Sequence, residues 1–287
     1  MEAGERASPR VSVIVATMNA AASLQTCIDS VAGQTYPHKE FIIVDGGSTD
    51  GTLDIIRDNE GVVSQWISEP DEGIYDAWNK GLAIASGDWI AFLGSDDYFW
   101  NTDVLSTMAP KLAAAPPSCR FVYADAILLD EGGQLVGKIA LPWSKEERRF
   151  RQGVMRIPHP GMFHRRDLFE AHGVFDTQFK VAGDYELLLR ELADHAALYV
   201  PGVTVTGILN TGQSRSFERR FEGMGEAWRA RRMQNRGGVP WSWLWLACKS
   251  GVRFGLLKLM GPRITGLMVS GYRSVSRALH TRPYSNS

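Results

Sequence analysis

The stretch Trp89-Ile-Ala-Phe-Leu-Gly94-Ser-Asp96-Asp97 decides how the rest of the chain is read. Trp89 to Leu93 is an uncharged apolar run of strand length, as expected of a strand buried on both faces. It runs straight into two adjacent carboxylates. Like charges side by side at the end of a buried strand repel one another unless a cation or hydrogen-bond donors offset them. A hard divalent ion, Mg²⁺ or Mn²⁺, uses one or two carboxylates together with ligand phosphates and would do so here. The competing reading is an Asx-type turn or a helix N-cap ahead of Tyr98 and Asn101.

Working outward, the same arrangement recurs. Val11 to Ala16 is a β-branched run followed by Thr17 and Asn19, and Leu24, Cys27, Ile28 and Val31 then mark one face of a helix. Phe41 to Val44 is a second buried strand, ending in Asp45-Gly-Gly-Ser-Thr-Asp50-Gly, a turn rich in residues that tolerate positive φ. Leu53, Ile55 and Ile56 predict a helix, Val62 to Ile67 a short strand, and Ile74, Trp78, Leu82 and Ala85 another helix. Alternating strands and helices imply an α/β fold of Rossmann-like type, with a mostly parallel sheet flanked by helices. Ligands of such sheets bind at the carboxyl ends of the strands, where Thr17, Asn19, Asp45, Asp96 and Asp97 fall. Asp45 can accept hydrogen bonds from a base or ribose. Its loop is not an EF-hand, and the chain has no Walker sequence and no Gly-x-Gly-x-x-Gly, so ATPase and dehydrogenase readings lack their phosphate cradles.

The second part is less regular. Phe121–Leu129 and Leu135–Ile139 flank a turn and predict a hairpin; Gly161–His164 and Tyr199–Val205 read as strands. Asp184 opens an amphipathic helix carrying Leu187, Leu188 and Leu192, where by itself it reads as an N-cap. His159, between two prolines, reads as an acceptor or diphosphate contact, or as a satisfied loop histidine. Tyr75 and Trp78 lie at helical spacing, which favours core packing over sugar stacking. The three cysteines fit no metal spacing and read as buried thiols.

In their order and spacing, Pro9 to Asn19, Val44 to Thr52, Asn79-Lys-Gly81 with Ala85-Ser-Gly87-Asp88, and Gly94 to Asp97 resemble the donor-binding half of family 2 inverting glycosyltransferases of GT-A fold. With Gly183-Asp184-Tyr185-Glu186 the likeness extends to about residue 205. It implies transfer of a hexose from a UDP- or GDP-linked donor to a saccharide or lipid-linked acceptor in cell-surface polysaccharide or glycolipid assembly. Thr17, Asn19 and Asp45 would hold the nucleoside, and Asp96 would lie near the ribose or sugar. Asp97 would bind the Mg²⁺ or Mn²⁺ that bridges the diphosphate, and Asp184 would be the general base. Two positions depart from the pattern: Gly46 stands where many members carry a second Asp, and Gly183 where many carry Glu. The implied organisation is a disordered N-terminus (1–8), a nucleotide-sugar-binding half (9–110), an acceptor and catalytic half of the same domain (111–212), and a basic helical extension (213–287).

Charge is unevenly spread. The net charge is −1, yet from Arg215 onward there are 14 Lys and Arg against 3 Asp and Glu, and no acid after Glu226. Trp241, Trp243 and Trp245 precede Lys249, Arg253, Lys258 and Arg263, a pattern suited to lying in an anionic membrane interface. Met1 to Arg10 has no apolar core of a signal peptide, so the expected location is cytoplasmic, peripheral on the inner face of the cell membrane. A metal-dependent nucleotidyltransferase or hydrolase would also use paired Asp, but should show further ligands or a Gly-rich triphosphate loop. A non-catalytic nucleic-acid-binding protein would explain the tail but not the acidic strand ends, and no nucleic-acid partner is expected. Truncation before Gly237 should release the protein from anionic liposomes at low salt, measured by co-sedimentation, while donor binding persists. Each basic residue near such a surface contributes about 1 kcal/mol.

Overall fold

The computed structural model of the chain describes residues 8–130, 132–209 and 217–235. The basic tail from residue 236 onward, with its tryptophans, and residues 1–7 lie outside the described residues. No helix among the described residues is long and apolar enough to cross a membrane.

Strands β1 (Val11–Thr17), β2 (Lys39–Asp45), β3 (Gln65–Ser68) and β4 (Trp89–Gly94) lie parallel in the order β3-β2-β1-β4. They are joined by helices α1 (Leu24–Ala32), α2 (Thr52–Asp58) and α3 (Ile74–Ile84). Val11, Val13 and Val15 pack with Leu24, Cys27, Ile28 and Val31 of α1 and with α4 (Val104–Ala113) on one face of the sheet. On the other face α3 presses closely, because Gly81 has no Cβ; one would stand 2.4 Å from Ile14 Cγ2 and 3.3 Å from Val44 Cγ2.

Beyond β4 the sheet is mixed. β8 (Phe163–Arg165) is antiparallel to β4, and β6 (Phe121–Leu129) is antiparallel to β8. β9 (Leu198–Leu209) runs parallel to β6 and antiparallel to β5 (Asp97–Phe99), while β7 (Leu135–Ile139) forms the expected hairpin with β6. The parallel expectation therefore describes β1 to β4, where helical crossovers return the chain to the same end of the sheet; beyond β4, parallel and antiparallel pairs mix. Helix α5 (Trp143–Arg151) follows the hairpin, α6 (Arg166–His172) follows β8, and α7 (Gly183–Glu191) precedes β9. Helix α8 (Phe217–Met233), in the expected extension, packs on α7.

Two stretches that carried the resemblance prove to be architectural. Ser86 and Gly87 sit at the amino ends of the strands: Ser86 donates twice to the buried Glu40, and Gly87 donates to Ser12, which itself donates to Glu40. Asn79 clamps the chain after α6 in both directions, donating to the Phe175 carbonyl (2.8 Å) and accepting from its amide (3.0 Å). Gly81→Ala should destabilise the protein by roughly 1–3 kcal/mol through overpacking against Ile14, read as a lowered urea midpoint.

Candidate active site

The carboxyl ends of β1, β2 and β4 meet where the strand order reverses, with Thr17 opposite Asp45 and Ala16 opposite Gly94. Asp45 is wholly buried. Its carboxylate accepts the Gly47 and Ser48 amides (3.1 and 3.0 Å) and the hydroxyls of Ser48 and Ser68. Both oxygens are thus engaged by the protein, and a ligand contact through them would displace one of these bonds. Asn19, at φ 49°, accepts the Thr49 amide (2.9 Å) and donates its own amide to Ser48 Oγ (2.7 Å). Asp50 accepts from Ala21 and Thr52 in the same seam. The loops after β1 and β2 are in this way sewn together by the residues that sequence pattern singled out as ligand contacts. Thr17 differs: its hydroxyl is buried and has no hydrogen-bond partner among the described residues.

Ser95 and Asp96 form the tight turn between β4 and β5, and Asp97 opens β5. Neither acid is a helix cap, since α4 begins only at Val104. Both carboxylates converge over Gly94, whose missing Cβ would stand 3.0 Å from Asp96 Oδ1 and 3.1 Å from Asp97 Oδ2. Burial, and then the charge of Asp96, push Asp97 up to about 8 against one opposing bond from the Gly94 amide (3.2 Å). Among the described residues no three His, Cys, Asp or Glu side chains cluster as a closed metal cage. Two convergent carboxylates whose shell is completed by phosphate oxygens are what Mg²⁺ or Mn²⁺ requires, so the donor set fits such an ion.

Asp184 lies in the first turn of α7 and accepts from the Tyr75 hydroxyl (3.3 Å) and the Tyr185 amide (2.7 Å). Burial raises it to about 6; those two bonds pull it down, and the charge of Glu226 adds to the rise. Asp184 is not the N-cap: that position is Ala182, which has no side-chain cap, and Asp184 stands inside the first turn. Glu226, on α8, accepts the amides of Lys180, Val181 and Ala182 at 2.7–2.8 Å, immediately before the helix. Gly183 also gains a reason, because a Cβ there would stand 2.8 Å from the Tyr75 ring. Tyr75 is buried, as its spacing predicted, yet its hydroxyl orients Asp184, and neither it nor Glu226 was marked by any sequence pattern for that task.

His159 is 5% exposed and packs against Trp78 (ring centroids 4.7 Å), Phe92, His164 and Phe175. Burial, with His164 beside it, drives it well below the usual histidine range, so the ring is neutral in this aromatic cluster. The structure gives it a packing role and no charge with which to meet a diphosphate.

The sheet order and the acidic turn define a GT-A glycosyltransferase scaffold. A mannosyltransferase of Pyrobaculum calidifontis, solved with GDP-Man and Mn²⁺, superposes with a TM-score of 0.63 at 19% identity, over 93% of this chain and 80% of that one. TarS (residues 1–349) of S. aureus with UDP-GlcNAc gives 0.60 at 19% identity, over 77% of this chain and 66% of that one. Residues 12–173 match the sequence pattern of Glycosyl transferase family 2. A PGL/p-HBAD biosynthesis glycosyltransferase of Mycobacterium bovis (strain BCG / Pasteur 1173P2) is 33% identical over 225 residues, covering 75% of this chain and 85% of that protein. A putative teichuronic acid biosynthesis glycosyltransferase of Bacillus subtilis (strain 168) is 36% identical over 133 residues, covering 45% and 52%. The chain belongs to glycosyltransferase family 2. That membership favours transfer of a sugar over the nucleotidyltransferase, hydrolase and nucleic-acid-binding alternatives.

Tyr75→Phe removes a bond that favours the charged form of Asp184. The acid limb of the pH–activity profile should move upward from about 6, by roughly half a unit or more. A profile that stays in place would show that the hydroxyl does not tune this carboxylate.

Proposed function

We propose that the protein transfers a sugar from a nucleotide-diphosphate donor to an acceptor hydroxyl with inversion, Asp184 acting as the general base. The observation that carries this reading is the state of Asp184: buried in the first turn of α7, raised to about 6, and oriented by the Tyr75 hydroxyl. A base of that strength is mostly charged at pH 7 yet basic enough to take a hydroxyl proton as the bond to the sugar forms. Direct displacement by that hydroxyl inverts the anomeric centre.

The donor lies across the ends of β1, β2 and β4. Thr17 offers its unpartnered hydroxyl to the nucleoside, and Asn19 and Asp45 shape the loops beneath it. Asp97, with Asp96 beside it near the ribose or sugar, would hold the Mg²⁺ or Mn²⁺. A bound cation there would neutralise charge on the departing diphosphate. The relatives' names, in PGL/p-HBAD and teichuronic acid biosynthesis, support a saccharide or lipid-linked acceptor of the cell surface. The basic tail supports an acceptor held at an anionic membrane face, with the enzyme peripheral on its cytoplasmic side.

Asp184→Asn should retain donor affinity and lose turnover by a factor of about 10² or more, because only the proton-accepting step is removed. In the unsubstituted enzyme kcat should fall about tenfold for each pH unit below about 6, where Asp184 becomes protonated. Near-normal turnover in the variant would assign the base elsewhere, and retained anomeric configuration by NMR would exclude direct displacement. Asp97→Asn should abolish the Mn²⁺ dependence of donor binding in calorimetry while thermal unfolding still shows a folded protein.

A further inference from the structure

The loop from β3 to α3, Glu69-Pro-Asp71-Glu-Gly73, folds back over the end of β2. The Glu69 amide donates to the Asp45 carbonyl (3.0 Å), and the backbone of Pro70 lies against Gly47. Asp71 then leans onto Gly46: a Cβ on that glycine would stand 2.4 Å from Asp71 Oδ2. Gly46, unlike Gly47, does not have a positive φ. Its lack of a side chain therefore answers to the Asp71 carboxylate and not to its own backbone. Asp71 Oδ1 accepts the Gly73 amide (2.8 Å) and so closes a local turn. Oδ2 accepts no hydrogen bond and meets no cation among the described residues. The Gly46 amide donates to the Thr17 carbonyl (2.9 Å), and the next residue, Met18, is 60% exposed, an apolar side chain left in the open.

A free carboxylate oxygen and an uncovered thioether are poor partners for phosphate, which carries negative charge and belongs with the cation at Asp96 and Asp97. They suit the uncharged end of a nucleotide, whose base offers a flat apolar face and an edge of donors and acceptors. We infer that Asp71 reads the nucleobase of the donor, accepting a hydrogen bond from its protonated ring nitrogen, and thereby selects uracil. The inference rests on the donor site proposed above and names its substrate class. With Oδ1 held by the Gly73 amide, one oxygen remains, which matches the single N3–H of uracil. Guanine presents two adjacent donors, N1–H and the amino group, and suits a carboxylate with both oxygens free. Cytosine turns an N3 lone pair toward Oδ2, placing acceptor against acceptor.

Asp71→Asn separates the two oxygens' tasks. The amide oxygen can keep the Gly73 bond and hold the loop, while the NH₂ group replaces the acceptor with a donor. By calorimetry on the full chain in Mn²⁺, the unsubstituted protein should bind UDP more tightly than CDP or GDP. In Asp71→Asn, UDP affinity should fall about tenfold or more and the UDP:CDP ratio should fall likewise, as loss of a charged hydrogen bond implies. Asp71→Ala should lose UDP affinity too, and adding Gly46→Asp to it should restore most of that loss by returning a carboxylate to the vacated space. Gly46→Asp alone should weaken binding, because the new side chain meets Asp71. UDP affinity and UDP:CDP ratio unchanged in Asp71→Asn would overturn the inference, as would a double variant no better than Asp71→Ala. A preference of the unsubstituted protein for GDP or CDP over UDP would overturn uracil selection alone. Failure of the unsubstituted protein to bind any nucleoside diphosphate would overturn the donor site itself, and this inference with it.

Discussion

A buried carboxylate that must find its partners locally organises the head of this molecule. Asp45 ends β2 with no exposed surface and no ion pair among the described residues, so donors from its own surroundings have to meet it. They can do so only if the chain turns sharply through Gly47, at φ 86°, so that two successive amides and a serine hydroxyl point back, with Ser68 arriving from β3. The Ser48 hydroxyl that satisfies Asp45 also receives the Asn19 amide, which draws the loop after β1 onto the loop after β2. One buried carboxylate therefore holds the loop after β1 against the loop after β2. Such support is what lets a site hold its geometry before its ligand arrives.

The segment around α7 follows a different logic, in which an acid from a later helix holds the chain ahead of it. Glu226 takes the three amides ahead of α7, and α8 is thereby tied to the compact unit that contains β1 to β9. Asp184, inside the first turn, accepts from Tyr75, and burial raises its proton affinity to about 6. Tyr75 stands on α3, whose preceding loop touches both Asp45 and, through Lys180 Nζ bonded to the Glu72 carbonyl, the segment before α7. The end of β2 and Asp184 are thus joined by one short stretch of chain.

Other residues that look chemical in a linear reading are part of the frame. Ser86 and Gly87 serve the buried Glu40 at the opposite end of the strands, and Asn79 fastens the backbone at Phe175. His159 and His164 are drawn into a cluster with Phe92, Trp78 and Phe175, where burial keeps both rings neutral. Polar residue type alone did not separate these from the site. Position relative to the strand ends did.

Sequence by itself determined the alternation of strands and helices through β4, because hydrophobic periodicity is a local property of backbone geometry. It also placed Thr17, Asp45, Asp96 and Asp97 at strand ends, since a buried run must finish where polar side chains reach water. The mixed half of the sheet was less legible: β9 extends four residues beyond the expected Val205, through a register shift near Pro201 and Gly202 that no period marks. Only the tertiary structure decided that Asp45 and Asn19 hold loops, that Glu226 holds the chain ahead of α7, and that Asp71 fills the space above Gly46. Each of these depends on which side chain arrives from a distant element to satisfy or displace a neighbour. Hydrogen-bond saturation and steric exclusion act across space, and so become visible only once the chain has folded.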